Sequence, residues 1–131
     1  MNMSKKEYNR YVARLAQKSP LGKDLLRSFL VGGLICVIGQ LILNGFTALD
    51  LSEQDAAAAT SVSLVFLSAV LTGLSVYDDI AKFAGAGTLV PITGFANAVV
   101  SPAIEFKAEG FVTGMAAKMF TIAGPVIVYG T

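Results

Sequence analysis

The sequence predicts an all-α integral membrane protein that forms a single membrane domain over residues 1–131. Of these residues 54% are hydrophobic and only 15% are charged, whereas a soluble domain carries about 25% charged residues. Residues 28–49 and 56–77 are uncharged runs, and each exceeds the roughly 20 apolar residues that a transmembrane helix needs. A third uncharged run, residues 83–104, is interrupted by glycine and proline.

The N-terminal residues 4–18 have the pattern of an amphipathic helix. Lys6, Arg10 and Arg14 lie four residues apart and form a basic face beside an apolar one. A basic amphipathic helix next to a membrane span commonly lies on an anionic lipid leaflet. We therefore expect residues 1–26 to be a membrane-surface helix and linker, with docking of a partner protein as the alternative role of the basic face.

The distribution of charge predicts how residues 27–131, the membrane-embedded part, are oriented. Seven of the ten basic residues lie within residues 1–27, so the positive-inside bias places the N-terminus on the cytoplasmic side. The acidic loop at 50–55 then lies on the far side. The second span, residues 56–77, returns the chain to the cytoplasmic side.

Small and polar residues recur along both uncharged spans. In the first span they occur every four positions: Ser28, Gly32, Cys36, Gln40 and Asn44. In the second span they are Ser61, Ser68, Thr72 and Ser75. Such stripes suit close helix contacts and interhelical hydrogen bonds, so we expect them to face protein or water. The amides of Gln40 and Asn44 either join helices or line a solute path.

The interrupted run at 83–104 is the strongest candidate for a functional element. Proline removes a backbone donor and breaks a helix, and broken backbone at membrane depth is tolerated only inside protein or beside a watery cavity. In transporters such segments mark the solute site. We predict a re-entrant or discontinuous segment, with a kinked structural helix or a surface loop as alternatives. The residues expected to line a path are Gly85, Gly87, Thr88, Pro91, Thr93, Gly94 and Asn97.

A further apolar run occupies residues 110–131 and contains one charge, Lys118. Because the run stops without a charged flank, we expect a C-terminal membrane helix that is truncated. A lysine at mid-bilayer costs about 2.5–3.5 kcal/mol on insertion scales. Lys118 therefore either reaches the headgroups with its long stem or attracts a carboxylate, from a solute or from Glu105 or Glu109.

The composition also excludes several classes of site. The chain has no histidine and a single cysteine, which excludes histidine-based triads, an intrachain disulfide and cysteine-pair metal sites. We therefore predict no catalytic residue, no metal, no cofactor and no nucleic-acid partner.

Two long runs resemble a known family. Residues 29–40, FLVGGLICVIGQ, and residues 82–97, KFAGAGTLVPITGFAN, are similar to two signatures of the stage V sporulation protein A family, subunits AC and AE. The basic N-terminus and residues 105–130 resemble the AC subunit more than AE. The resemblance covers nearly the whole chain.

The resemblance implies a location, a solute and partners. Family members lie in the inner membrane of bacterial endospores, in a complex that moves dipicolinic acid, as its calcium chelate, into the developing spore and out at germination. The AC subunit is associated with a channel that responds to membrane tension. The implied function is a channel subunit in an oligomer or hetero-complex with other subunits of that complex. A non-conducting scaffold that docks those subunits is the alternative.

Overall fold

The computed structural model describes residues 5–15 and 20–130, without the side chains of residues 9, 10, 13–15 and 130. Within these ranges every regular element is a helix. Seven α-helices follow in chain order: α1 (Lys5–Leu15), α2 (Leu21–Thr47), α3 (Glu53–Gly73), α4 (Val76–Ala84), α5 (Ala86–Leu89), α6 (Ile92–Glu105) and α7 (Ala117–Gly130). A 3-10 turn at Lys107–Glu109 and a π-helical turn at Phe111–Ala116 join α6 to α7.

Three helical stretches are long and apolar enough to cross a membrane: Leu21–Thr47, Glu53–Gly73 and Phe111–Tyr129. The predicted all-α membrane fold is therefore confirmed. The pattern of burial is also that of a membrane protein. The most deeply buried side chains are small or carry a hydroxyl: Ala56, Ala84, Ser68 and Thr88. Large apolar side chains such as Phe29 and Phe66 point outward, as expected where lipid covers the surface and small residues let helices approach.

Helix α1 lies within residues 4–18, where the sequence predicts a helix, and its Lys6 side chain is exposed. Residues 4 and 16–18 of that prediction lie outside the described residues. The side chains of Arg10 and Arg14 lie outside the described residues, so the basic face as a whole stays a prediction. Helix α2 begins directly after Pro20, whose carbonyl accepts the N–H of Lys23 at 2.9 Å. It is longer than the predicted span at its N-terminus and ends two residues earlier.

The second span runs from Glu53 to Gly73 instead of residues 56–77. Ser52 caps its start, because the Ser52 hydroxyl accepts the N–H of Asp55 at 3.2 Å. Its end is set by Ser75, which has a left-handed φ of 59°. The chain turns there, so Tyr77 belongs to the separate helix α4 and not to the span.

Helix α6 packs on α3 and on α7, and α5 packs on α2. At the turn between α6 and α7, Gly110 has a φ of 107°, which an L side chain rarely adopts. Gly114 then lies against the turn, since a Cβ there would come 2.7 Å from Glu109 Cβ. The C-terminal helix is thereby fixed close to the end of α6.

Candidate functional site

The uncharged run at 83–104 is interrupted twice in the structure. Gly85, with φ 54° and ψ −121°, separates α4 from the four-residue helix α5. Pro91, with an extended ψ of 163°, separates α5 from α6. Pro102 lies inside α6 without ending it. The discontinuity therefore rests on one glycine with positive φ and one extended proline, with the four-residue helix α5 between them.

The short helix α5 touches the backbone of α2 through Gly87. A Cβ added at Gly87 would lie 2.8 Å from Ser28 Cα and 2.9 Å from Ser28 C, and it would also contact Ser28 O. Gly32, one turn further along α2, would place a Cβ 3.3 Å from Gly87 O. The Ser28 hydroxyl donates to Ala84 O at 2.7 Å. The end of α4 and the start of α5 therefore pack against two small residues of α2, Ser28 and Gly32.

The start of α6 is folded back on α5 in the same way. A Cβ at Gly94 would lie 2.6 Å from Leu89 O and 2.8 Å from Leu89 Cα, besides meeting Thr88 O. The Thr88 hydroxyl donates to Gly85 O at 2.9 Å and so closes the turn of α5. A side chain at Gly87 or at Gly94 would collide with backbone atoms of a neighbouring segment, so both close approaches require glycine.

A buried set of hydroxyl groups joins the interruption to α3 and α4. Tyr77 OH donates to Thr88 O at 2.9 Å and lies 3.1 Å from Thr93 Oγ1. Ser68 Oγ on α3 donates to Thr93 O at 2.6 Å. All four residues are buried. We call Ser68, Tyr77, Thr88 and Thr93 the hydroxyl cluster.

One turn further along both helices, Thr72 meets Asn97. Thr72 Oγ1 lies 2.8 Å from Asn97 Oδ1 and 2.7 Å from Ser68 O, and its single proton serves one of these acceptors at a time. The predicted polar residues of the interrupted segment therefore contact the hydroxyls that the sequence placed on a stripe of α3. Across the described chain, every buried side-chain nitrogen and oxygen has a hydrogen-bond partner.

Beside the hydroxyl cluster lies a cavity of about 190 Å³ between α2 and α3. Its lining includes all four residues of the hydroxyl cluster, and the remaining walls are aliphatic side chains such as Ile35 and Leu67. A cavity with apolar walls stays dry unless polar groups point into it. In this conformation the hydroxyls bond protein atoms and do not face a watery path.

Sequence reasoning placed Tyr77 at the end of the second span, residues 56–77, and did not identify it as a site residue. Tyr77, Ile80, Ala81 and Ala84 follow the i, i+3, i+4, i+7 spacing of an amphipathic helix. That pattern could have found α4 and its inward face. The opposite face is charged, where Lys82 bonds Asp78 at 2.8 Å and Asp79 at 3.4 Å. Hydrogen bonding to these carboxylates raises the pKa of Lys82.

The structure does not bring Gln40 and Asn44 to the interruption. Gln40 Nε2 donates to Asn44 Oδ1 at 2.9 Å within α2, and both side chains are exposed. The four-residue spacing explains the difference, because each step turns the stripe about 40° around the helix. Ser28 and Gly32 therefore face α5, whereas Gln40 and Asn44 have turned to the outer surface.

Lys118 is exposed, and its ammonium lies over the ring of Phe106, 4.7 Å from the ring centroid. Phe106 belongs to the turn that precedes the C-terminal span, so the lysine stem points back toward that end of the helix. This direction is the one that helical side chains favour. A cation over an aromatic face gains about 0.5–1 kcal/mol at an exposed site. The contact supports headgroup reach for Lys118 more than a solute site.

We expect Lys118→Arg, Lys118→Gln and Lys118→Glu to retain solute flux when the variants are compared at equal protein level. Arginine keeps the contact with the Phe106 ring, and glutamine and glutamate lose only that contact. Flux into or out of vesicles measures the outcome. A graded result, in which Gln weakens flux, Arg keeps it and Glu abolishes it, would contradict this and would place Lys118 on the solute path.

Comparison with known proteins gives a relative for nearly the whole chain. A family model described as SpoVAC/SpoVAEB sporulation membrane protein matches residues 24–131. The chain is 46% identical over 131 residues to Stage V sporulation protein AC of Bacillus subtilis strain 168, an alignment that covers 99% of this chain and 87% of that protein. No solved structure matches the chain.

Proposed function

The chain belongs to the SpoVAC/SpoVAEB family of sporulation membrane proteins, and from that premise we propose that it is a channel subunit for dipicolinic acid or its calcium chelate. The proposed location is the inner membrane of the spore, with the N-terminus on the cytoplasmic side. Its proposed partners are the other subunits of the stage V sporulation protein A complex. Three spans of one chain enclose little space, so the pore forms from several chains.

The observation that carries this proposal is the double interruption at Gly85 and Pro91. An uninterrupted helix satisfies its own backbone groups, whereas this segment needs hydroxyls from α2, α3 and α4 to do so. Backbone of this kind at membrane depth is found where protein buries it or where solute passes. The interruption therefore supports a segment that is buried when the channel is closed and lines the path when it opens.

The described conformation corresponds to the closed state. Thr88 and Thr93 are buried, and their backbone carbonyls accept hydrogen bonds from Tyr77 and Ser68. Opening requires α5 and the first turn of α6 to move away from α2 and α3. The threonine hydroxyls and the Asn97 amide then become available as donors to the carboxylates of dipicolinate. Tension in the bilayer favours such a movement if the open state occupies more area.

A second candidate function is a non-conducting scaffold. It is favoured by the completeness of the hydrogen bonding around the interruption and by the aliphatic walls of the neighbouring cavity. Both features suit a rigid structural element. In a scaffold, the interruption would shape a surface for partner subunits and would not move.

Efflux from vesicles separates the two functions. The full chain is reconstituted, alone and with the other subunits of the complex, into vesicles loaded with dipicolinate, and release is followed by terbium luminescence outside. We expect release that depends on this chain and exceeds release from protein-free vesicles. Firm binding of the partner subunits with no release in either preparation would identify a scaffold instead.

A further inference from the structure

The outer face of α2 carries a regular stripe that the other described residues leave uncovered. Its members alternate in steps of four and three residues: Leu26, Leu30, Gly33, Val37, Gln40, Asn44 and Thr47. All seven are exposed. Steps of four and three repeat every seven residues, the period of a helix seam in a left-handed supercoil. We call these residues the heptad stripe.

The heptad stripe lies on the side of α2 that faces away from α3 and α5. Ser28 and Gly32 contact the interruption, and Gly39 would place a Cβ 3.4 Å from Leu64 on α3. At 3.6 residues per turn, Asn44 is about 160° around the helix from Ser28. A Cβ added at Gly33 would meet nothing within 4 Å. None of the described residues therefore packs on the stripe.

Two amides in the stripe argue against lipid as its cover. Gln40 Nε2 donates to Asn44 Oδ1 at 2.9 Å, which uses one donor and one acceptor of the pair. In the described residues, Gln40 Oε1 and Asn44 Nδ2 have no hydrogen-bond partner. Both lie within the span Leu21–Thr47, where lipid tails offer neither donors nor acceptors. Polar side chains at such positions join helices.

We propose that the heptad stripe of α2 is a self-association surface, whose occupant is the same stripe of a second copy of this chain. Every copy inserts in one orientation, so the α2 helices of neighbouring copies run parallel and equal residues come level. An amide pair is self-complementary, because each copy offers a free carbonyl at Gln40 and free N–H groups at Asn44. A symmetric contact between two identical chains uses the same surface patch on both of them, so the patch must be complementary to itself.

The length and the residue types of the heptad stripe fit a contact between two parallel α2 helices. From Leu26 to Thr47 the heptad stripe has 21 helical rises of about 1.5 Å, roughly 32 Å of helix, close to the roughly 30 Å of the hydrocarbon core. Gly33 allows close approach of two backbones, and the polar pair fixes the register, as a polar residue in a supercoil seam does. Self-association here is independent of whether the chain conducts.

Cross-linking at adjacent residues tests the proposal. Native Cys36 lies off the stripe and is exposed. Val37 lies on the stripe, one residue later and about 100° further around the helix. We compare oxidation of the full wild-type chain in native membranes with that of the double variant Cys36→Ala, Val37→Cys. We expect strong disulfide dimer formation at position 37 and at least fivefold less at position 36. Equal cross-linking at both positions, or none at position 37, overturns the proposal.

Association strength gives a second measurement that needs no cysteine. Replacing both amides, Gln40→Leu with Asn44→Leu, should weaken self-association about tenfold, from the usual strength of interhelical hydrogen bonds in membranes. Energy transfer between labelled full-length copies in vesicles measures this at varied protein-to-lipid ratio. The matched control is Gly45→Leu, which adds a leucine off the stripe where no atom lies within 4 Å.

If self-association is unchanged when Gln40 and Asn44 are both replaced by leucine, or if Gly45→Leu weakens it equally, the two amides do not stabilise the contact and this part of the proposal is overturned. A cross-link from position 37 to a different subunit, with no homodimer, overturns the second copy as occupant. Because neither measurement depends on flux, failure here leaves the channel proposal intact. Failure of the channel proposal likewise leaves the self-association surface intact.

Discussion

Replacing Gly87 with leucine is expected to reduce dipicolinate transport at least tenfold while the protein still inserts into the membrane. The Cβ of any side chain at this position would approach within 2.8 Å of Ser28 Cα and 2.9 Å of Ser28 C. These are backbone atoms within the long helix α2, and they cannot move aside as the end of a flexible side chain can. Helix α5 would have to leave α2, which also breaks the hydrogen bond between Ser28 and Ala84.

The expected cost of this collision is large enough to displace α5 and so to impair transport. Overfilling a packed interior typically costs about 1–3 kcal/mol, and here the collision is with backbone. The displaced segment carries Thr88 and Thr93, so the residues proposed to meet solute would lose their positions together. Uptake during sporulation and release from loaded vesicles both measure the loss, with membrane-inserted protein quantified in each sample.

The matched control is Gly45→Leu, a glycine on α2, the helix that Gly87 contacts, where no atom lies within 4 Å of an added Cβ. This control should transport normally. Pro91→Leu should also impair transport, because it restores a backbone donor and removes the ring that keeps α5 and α6 apart. Normal transport by Gly87→Leu and Pro91→Leu at wild-type protein levels would show that the interrupted segment is not part of the path.

The sequence was sufficient to predict the all-helical membrane fold because uncharged length is a direct physical requirement of the bilayer. It also located the interruption, because glycine and proline limit what the backbone can do at their own positions. Gly85 and Pro91 are where the structure separates its helices. These predictions depend on local chemistry, which a sequence displays without any knowledge of neighbouring helices.

The partners of the interrupted segment were not predictable in the same way. Tyr77 and Ser68 donate to backbone carbonyls of Thr88 and Thr93, and a backbone carbonyl leaves no mark in the sequence. Periodicity likewise showed that Ser28 and Asn44 belong to one stripe but not that the stripe turns from α5 to the outer surface. Which neighbour covers a helix face depends on tertiary packing.

Replacing Tyr77 with phenylalanine is expected to increase dipicolinate release, whereas Gly87→Leu reduces transport. The Tyr77→Phe variant should release dipicolinate without a stimulus. The hydroxyl donates to Thr88 O at 2.9 Å and lies 3.1 Å from Thr93 Oγ1, so it holds α5 and α6 together in the closed conformation. Its loss leaves buried polar atoms unpaired, at about 1–3 kcal/mol. In the open state those atoms meet water or solute, so the cost falls on the closed state alone.

A cost of this size raises the ratio of open to closed channels about fivefold to a little over a hundredfold, since each 1.4 kcal/mol is a factor of ten in an equilibrium constant. Ser68→Ala should act in the same direction, because it removes the donor to Thr93 O. The control is Tyr129→Phe, the same chemical change at a side chain that is 90% exposed. Basal release from loaded vesicles at equal protein content measures all three variants. Reduced or unchanged release in Tyr77→Phe, with Tyr129→Phe equal to wild type, would mean that the hydroxyl cluster does not hold a gate closed, and the interruption would then be a fixed structural element.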